Sequence, residues 1–421
     1  MKMILKEEPR LLKTKKYSTI DFTFIYPIKY QRKYCFYLDF ISNLITNSSY
    51  DYKDENSFKK AKAKNLIIRY NTRVRRYCNE LYFEINCCFP NPKIVKDFNL
   101  QEAFKFIMRS ILNPNIEDNA FSKKQFLREL EYFKSYYSDL NSNIDEIIYQ
   151  DFLKTVNKDL YKKYIKLANL KLLDKIDSID LFNYYKKNIL SNSPLIYVYG
   201  NISKQDIDNL LKPYFVYQVK PRSFLKDYFD FPKPRNEVIY LEKKYPNQNN
   251  TLYLSYFISN MQQEELIYLI FLGDILNLPI GVEPLFNRIR IKNNLVYDIH
   301  SNINIFYGVI TITTSFENSK KDLILKIIQE EINKLQSLKN IQRYQKKVIK
   351  MIKDNVIYKK DSKYYLYDLL INKDIGIGYS EEEILNYYQN LDLIKFIDFL
   401  KRLKLDTIYY AKGEEINENK N

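Results

Sequence analysis

Asp180-Leu-Phe-Asn-Tyr-Tyr-Lys-Lys-Asn-Ile-Leu190 runs into the apolar stretch Leu195-Ile-Tyr-Val-Tyr199 and then Gly200-Asn201. The arrangement returns near the other end of the chain: Asp392-Leu-Ile-Lys-Phe-Ile-Asp-Phe-Leu400, then Thr407-Ile-Tyr-Tyr-Ala411, then Gly413-Glu414. In both places an amphipathic helix leads into a strand of aromatic and β-branched residues that closes on glycine. Leu181 and Gly200 lie 19 residues apart, Leu393 and Gly413 lie 20 apart. The starts of the two halves match as well. Ile20–Tyr26 and Leu252–Ile258 both read as strands, leading into apolar helices near Cys35–Leu44 and Glu264–Leu276. The expected fold class is therefore α+β, with two duplicated domains, each an antiparallel sheet with helices packed on one side.

Between the copies, Pro213, Pro221, Pro232, Pro234 and Pro246 mark a join. The expected organisation is a domain over 1–215, a linker over 216–236 and a second domain over 237–421. In the second half, Ile324, Ile328, Ile332 and Leu335 stripe one helix face. Phe286 and Ile289, with Val282, stripe a shorter helix ending near Lys292, and Leu295–Phe316 reads as a hairpin with Gly308 near its second strand.

Composition narrows the chemistry. The chain has 421 residues and a single histidine, His300, which excludes a self-contained zinc centre built on imidazoles. Lys and Arg number 67 against 51 Asp and Glu, a net charge of +16. The lysines are scattered and accompany abundant Asn, Ile and Tyr, so biased base composition explains most of the excess. A nucleic-acid-binding protein using interleaved Lys and Tyr or Phe is the reading the charge leaves open. Cys35, Cys78, Cys87 and Cys88 form no C-x-x-C and read as buried free thiols in a reducing compartment. Glu7 and Glu8 break any apolar leader, and no apolar run reaches spanning length, so the expected location is cytoplasmic. No phosphate-binding glycine motif occurs, and Glu381–Glu383 after Ser380 reads as a capped first helical turn.

Three passages, taken together, resemble the pitrilysin/insulinase family of zinc peptidases. They are Ser193-Pro-Leu-Ile-Tyr-Val-Tyr-Gly-Asn-Ile-Ser203 with Leu210-Leu-Lys-Pro-Tyr-Phe215; Pro284-Leu-Phe-Asn-Arg-Ile-Arg-Ile-Lys-Asn-Asn-Leu-Val-Tyr297; and Asn113-Pro114 through Ala120-Phe121 with the helix Phe126–Tyr137. The family's catalytic motif is H-x-x-E-H on the first helix of the first domain. Here that helix reads Tyr34-Cys-Phe-Tyr-Leu-Asp-Phe-Ile-Ser-Asn-Leu44, with Asp39 its one carboxylate. The helix downstream keeps Glu129 and Glu131, too little to hold zinc.

What the resemblance does supply is the family's substrate-gripping pair, which falls on Arg290 and Tyr297. It implies a noncatalytic, substrate-binding subunit of a heterodimeric zinc peptidase that processes peptides. That chain would hold no metal or cofactor of its own. Zinc is expected in a partner subunit bearing H-x-x-E-H, and the ligands are peptides, with no specific nucleic acid. The alternative is a peptide-binding or structural scaffold of the same fold with no proteolytic role. His300, in the same hairpin as Tyr297, reads as a structural or surface residue.

Overall fold

A computed structural model describes residues 2–77, 79–157, 165–219, 229–246, 249–317, 320–359, 362–374 and 378–414. Cys78 and residues 220–228 of the expected linker lie outside the described residues. The chain forms two compact units, residues 1–139 with 163–226, and residues 140–162 with 227–421.

The first unit contains β1 (Met3–Leu5), β2 (Arg10–Lys13), β3 (Thr19–Lys29), β4 (Arg69–Tyr77), β5 (Glu80–Pro90), β6 (Ile116–Glu117), β7 (Ala120–Phe121), β8 (Leu195–Gly200) and β9 (Phe215–Tyr217). Its main sheet has the order β2-β8-β3-β5-β4, antiparallel except for the parallel edge pair β2 and β8. The second unit contains β10 (Ile239–Tyr245), β11 (Asn250–Ile258), β12 (Asp298–Asn304), β13 (Val309–Phe316) and β14 (Leu403–Gly413). Its order is β10-β14-β11-β13-β12, again with only the edge pair β10 and β14 parallel. Each position in one sheet has its counterpart in the other. The two quoted segments supply the equivalent strands β8 and β14, so the α+β duplication read from their spacing is the architecture of the molecule.

Alternation builds both cores. On β3, Phe22 and Phe24 point to the face where Phe104 of helix Leu100–Leu112 packs, with ring centroids 5.0 and 6.3 Å away. On β11, Leu252, Leu254, Tyr256 and Ile258 join Leu269, Leu272, Ile324 and Ile328 in one apolar cluster. The stripe through Ile324, Ile328 and Ile332 lies on helix Lys321–Lys334, buried as its period requires. Gly200 takes φ +145°, and a Cβ there would lie 2.8 Å from the Thr19 carbonyl oxygen, so β8 must end on glycine.

The opposite face of the second sheet is covered too. Helix Ile144–Val156 belongs to the second unit although the chain returns to the first unit after it. Its Phe152 stacks on Tyr253 of β11 at 4.8 Å and meets Tyr409 of β14 at 6.2 Å. Asp151 accepts the Tyr245 hydroxyl at 2.8 Å and pairs with Lys243. Arg235 binds Asp406 at 2.8 Å while its guanidinium also donates to the Thr155 carbonyl at 2.8 Å. Both faces of β11 are thereby removed from water.

Cys35, Cys87 and Cys88 are buried free thiols. Ser380 and Glu383 form a capping box, with Glu383 N–H to Ser380 Oγ at 3.1 Å and Ser380 N–H to Glu383 Oε2 at 2.6 Å. Among the described residues no helix is long and apolar enough to cross a membrane.

Candidate functional site

Helix Tyr37–Asn47 stands where the resemblance places the zinc motif. It packs its apolar side, Leu38, Ile41 and Ile45, into the first unit and turns Asp39 and Asn43 toward other partners. Asp39 pairs with Lys166. Asn43 donates through Nδ2 to Glu129 Oε2 at 2.8 Å. Glu129 is 5 % exposed, and its other oxygen accepts Arg128 Nη2 at 2.8 Å. Glu131, on the same helix Lys123–Ser142, faces solvent.

A carboxylate held by an amide and a guanidinium is satisfied without a metal. A divalent cation between these helices would meet Arg128 and Lys166 rather than imidazoles, so this donor set does not fit zinc. Among the described residues no group of three His, Cys, Asp or Glu is placed to hold a metal.

The second unit holds the two expected peptide-gripping residues. The helix at 284–292 begins as a single α turn, Pro284–Phe286, and continues as a π turn, Asn287–Lys292. The wider turn changes which side chains face inward: Ile289 is fully buried while Arg290 sits half-buried at the helix end. From there its Nη1 donates to the Val296 carbonyl at 2.8 Å and to Asn294 Oδ1 at 2.9 Å. Asn294 has φ +47°, the left-handed conformation that turns the chain back toward β12.

Tyr297 follows, its N–H bonded to the Ser315 carbonyl at 3.0 Å and its ring 50 % exposed. The hydroxyl donates to Glu317 Oε1 at 2.6 Å. That bond to Glu317 raises the phenol above its ordinary value of 10.0, and the Arg290 charge works in the opposite direction. Arg290 and Tyr297 thus share one electrostatic environment, with Glu317 as a third member that the sequence did not flag. His300, by contrast, projects from the edge strand β12, 74 % exposed and 3.2 Å from Asp298.

The arrangement offers a guanidinium with donors to spare and a phenolic hydroxyl on one exposed rim. That is a set of hydrogen-bond donors suited to oxygen acceptors. Residues 175–348 match the sequence profile described as the peptidase M16 inactive domain. The likeness is to the inactive type of M16 peptidase. It bears out the pitrilysin/insulinase resemblance.

Among curated proteins, the chain is 22 % identical over 337 residues to the "Probable inactive metalloprotease YmfF" of Bacillus subtilis (strain 168), covering 77 % of each chain. Two crystal structures share the fold. A conserved protein from Enterococcus faecalis V583 matches with a TM-score of 0.81 at 20 % identity, over 97 % of this chain and 96 % of that one. The M16 inactive domain from Pseudomonas fluorescens matches at 0.70 and 10 % identity, over 97 % and 96 %.

Proposed function

We propose that the chain is the noncatalytic, substrate-binding subunit of a heterodimeric zinc peptidase that processes peptides. The partner subunit would carry H-x-x-E-H and the metal, and this chain would present Arg290 and Tyr297 to the bound peptide. The observation that supports it is a contrast between the two units. The first has closed its would-be metal position with Asn43, Arg128 and Lys166, whereas the second keeps an arginine and an exposed tyrosine together on one rim.

A guanidinium donates two parallel hydrogen bonds to peptide carbonyl oxygens. A phenol donates to an oxygen that gains negative charge as the peptide bond is attacked. Losing one such donor costs on the order of 100-fold in turnover. Arg290→Ala combined with Tyr297→Phe in the reconstituted complex is therefore expected to abolish measurable peptide cleavage while assembly survives. Full activity in an intact double-mutant complex would refute the role.

One observation favours a second reading, a structural or peptide-binding scaffold. Arg290 already bonds its own loop at Val296, and Tyr297 already bonds Glu317, as residues with a purely structural task would. Under that reading the double substitution lowers the melting temperature and leaves any associated peptidase unaffected.

A further inference from the structure

The second unit carries a cleft of about 750 Å³ that the preceding reading does not use. Three segments wall it: residues 281–293, the end of helix Lys321–Lys334 and the first half of helix Leu338–Lys359. Five cationic side chains reach it, against two carboxylates, Glu283 and Glu331.

Both carboxylates are already engaged. Glu331, 8 % exposed, accepts Arg288 Nη1 at 2.5 Å and Lys334 Nζ at 2.8 Å. Glu283, 6 % exposed, accepts the Val282 N–H at 2.9 Å. Among the described residues, Lys292, Arg343 and Lys347 have no carboxylate partner.

Two of these three are held ready. Arg343 and Lys347 lie over the ring of Tyr344 at 4.9 and 5.9 Å, and Arg343 Nη2 donates to its hydroxyl at 3.2 Å. They are one helical turn apart, about 6 Å along the helix. In an extended chain, side chains on the same face recur every ~6.7 Å, so carboxylates at alternate positions would meet both cations.

We propose that this cleft binds an extended acidic peptide with a carboxylate at every second residue, Arg343 and Lys347 taking successive carboxylates. Val282, half-buried in the lining, gives apolar contact to the peptide's stems. Single-stranded nucleic acid suits the cleft less well. Its bases want an open aromatic face, and Tyr344 is 5 % exposed with cations over its ring.

The test is fluorescence anisotropy of the full chain with a short labelled peptide alternating Glu and Ala, and with its Gln counterpart. The expected result is saturable binding of the Glu peptide at moderate salt, weakened at least tenfold by the Gln peptide and by Arg343→Gln with Lys347→Gln. Both substituted side chains point toward solvent or the cleft, and an unchanged melting temperature confirms the fold. Arg290→Ala with Tyr297→Phe should leave this binding untouched, which separates the cleft from the proposed grip on substrate. Equal affinity for both peptides, no effect of the cleft substitutions, or preferential binding of an oligothymidylate of equal charge would each overturn the proposal.

Discussion

Glu129 shows at the level of one side chain how the first unit departs from a metal site. It is buried, yet it accepts hydrogen bonds from Asn43 and Arg128. Its charge is therefore compensated by a neighbour on its own helix and an amide on the facing one. Glu129→Gln is expected to cost about 1–2 kcal/mol of stability through the weakened bond to Arg128. In the reconstituted complex it should leave peptide cleavage within about twofold of the parent, because no chemistry passes through it. A loss of activity comparable to that of the Arg290 and Tyr297 double substitution would place a catalytic task in the first unit.

Asp151 carries a pH dependence. Burial pushes its carboxyl up, but the bonds from Lys243, Lys154 and Tyr245 outweigh that and hold it below the ordinary 3.8. A depressed acid stabilises the fold fully above its unfolded value and loses that contribution as pH falls through its folded value. The unfolding midpoint in urea should therefore fall more steeply between about pH 4 and pH 2 for the parent than for Asp151→Asn. Equal slopes would mean that the pairing with Lys243 does not persist in solution.

At the scale of elements, helix Ile144–Val156 matters most to the second sheet. It covers one face of β11 and β14 through Phe152 and is tied down by Asp151 and by Arg235. Phe152→Ala is expected to destabilise the second unit by about 3–5 kcal/mol, read as a lower thermal midpoint with faster amide exchange in β11 and β14. Protection of β11 unchanged by the substitution would contradict this packing.

The strands and the helices facing the core were legible in the sequence because alternation and the 3.6-residue period are local signals. Leu252, Leu254 and Tyr256, or Ile324, Ile328 and Ile332, announce their faces without knowledge of any partner. The attachment of helix Ile144–Val156 to Tyr253 and Tyr409 is a long-range pairing that no local period records. The same holds at the candidate site. Arg290 and Tyr297 were found through a motif-like passage, whereas Glu317 and the Val296 carbonyl became partners only once the hairpin closed. The basic cleft was hidden for a different reason: Lys292 lies 51 residues before the Arg343 and Lys347 pair, in a chain where lysine is everywhere.

For the molecule as a whole, the duplicated sheet order shows two copies of one plan with different fates. In one copy the position that the resemblance gives to a metal holds an amide and paired charges, and in the other Arg290 and Tyr297 place hydrogen-bond donors on one exposed rim. Such a chain has little to do alone if its task is peptide cleavage, since the metal and its activated water must come from elsewhere. The most direct measurement is a tagged purification from the native cell, with the co-purifying chain identified and counted by mass spectrometry. The expected result is a chain of similar length bearing H-x-x-E-H, near one-to-one and accompanied by zinc. Recovery of this protein by itself, or peptide cleavage by the isolated chain, would contradict the account.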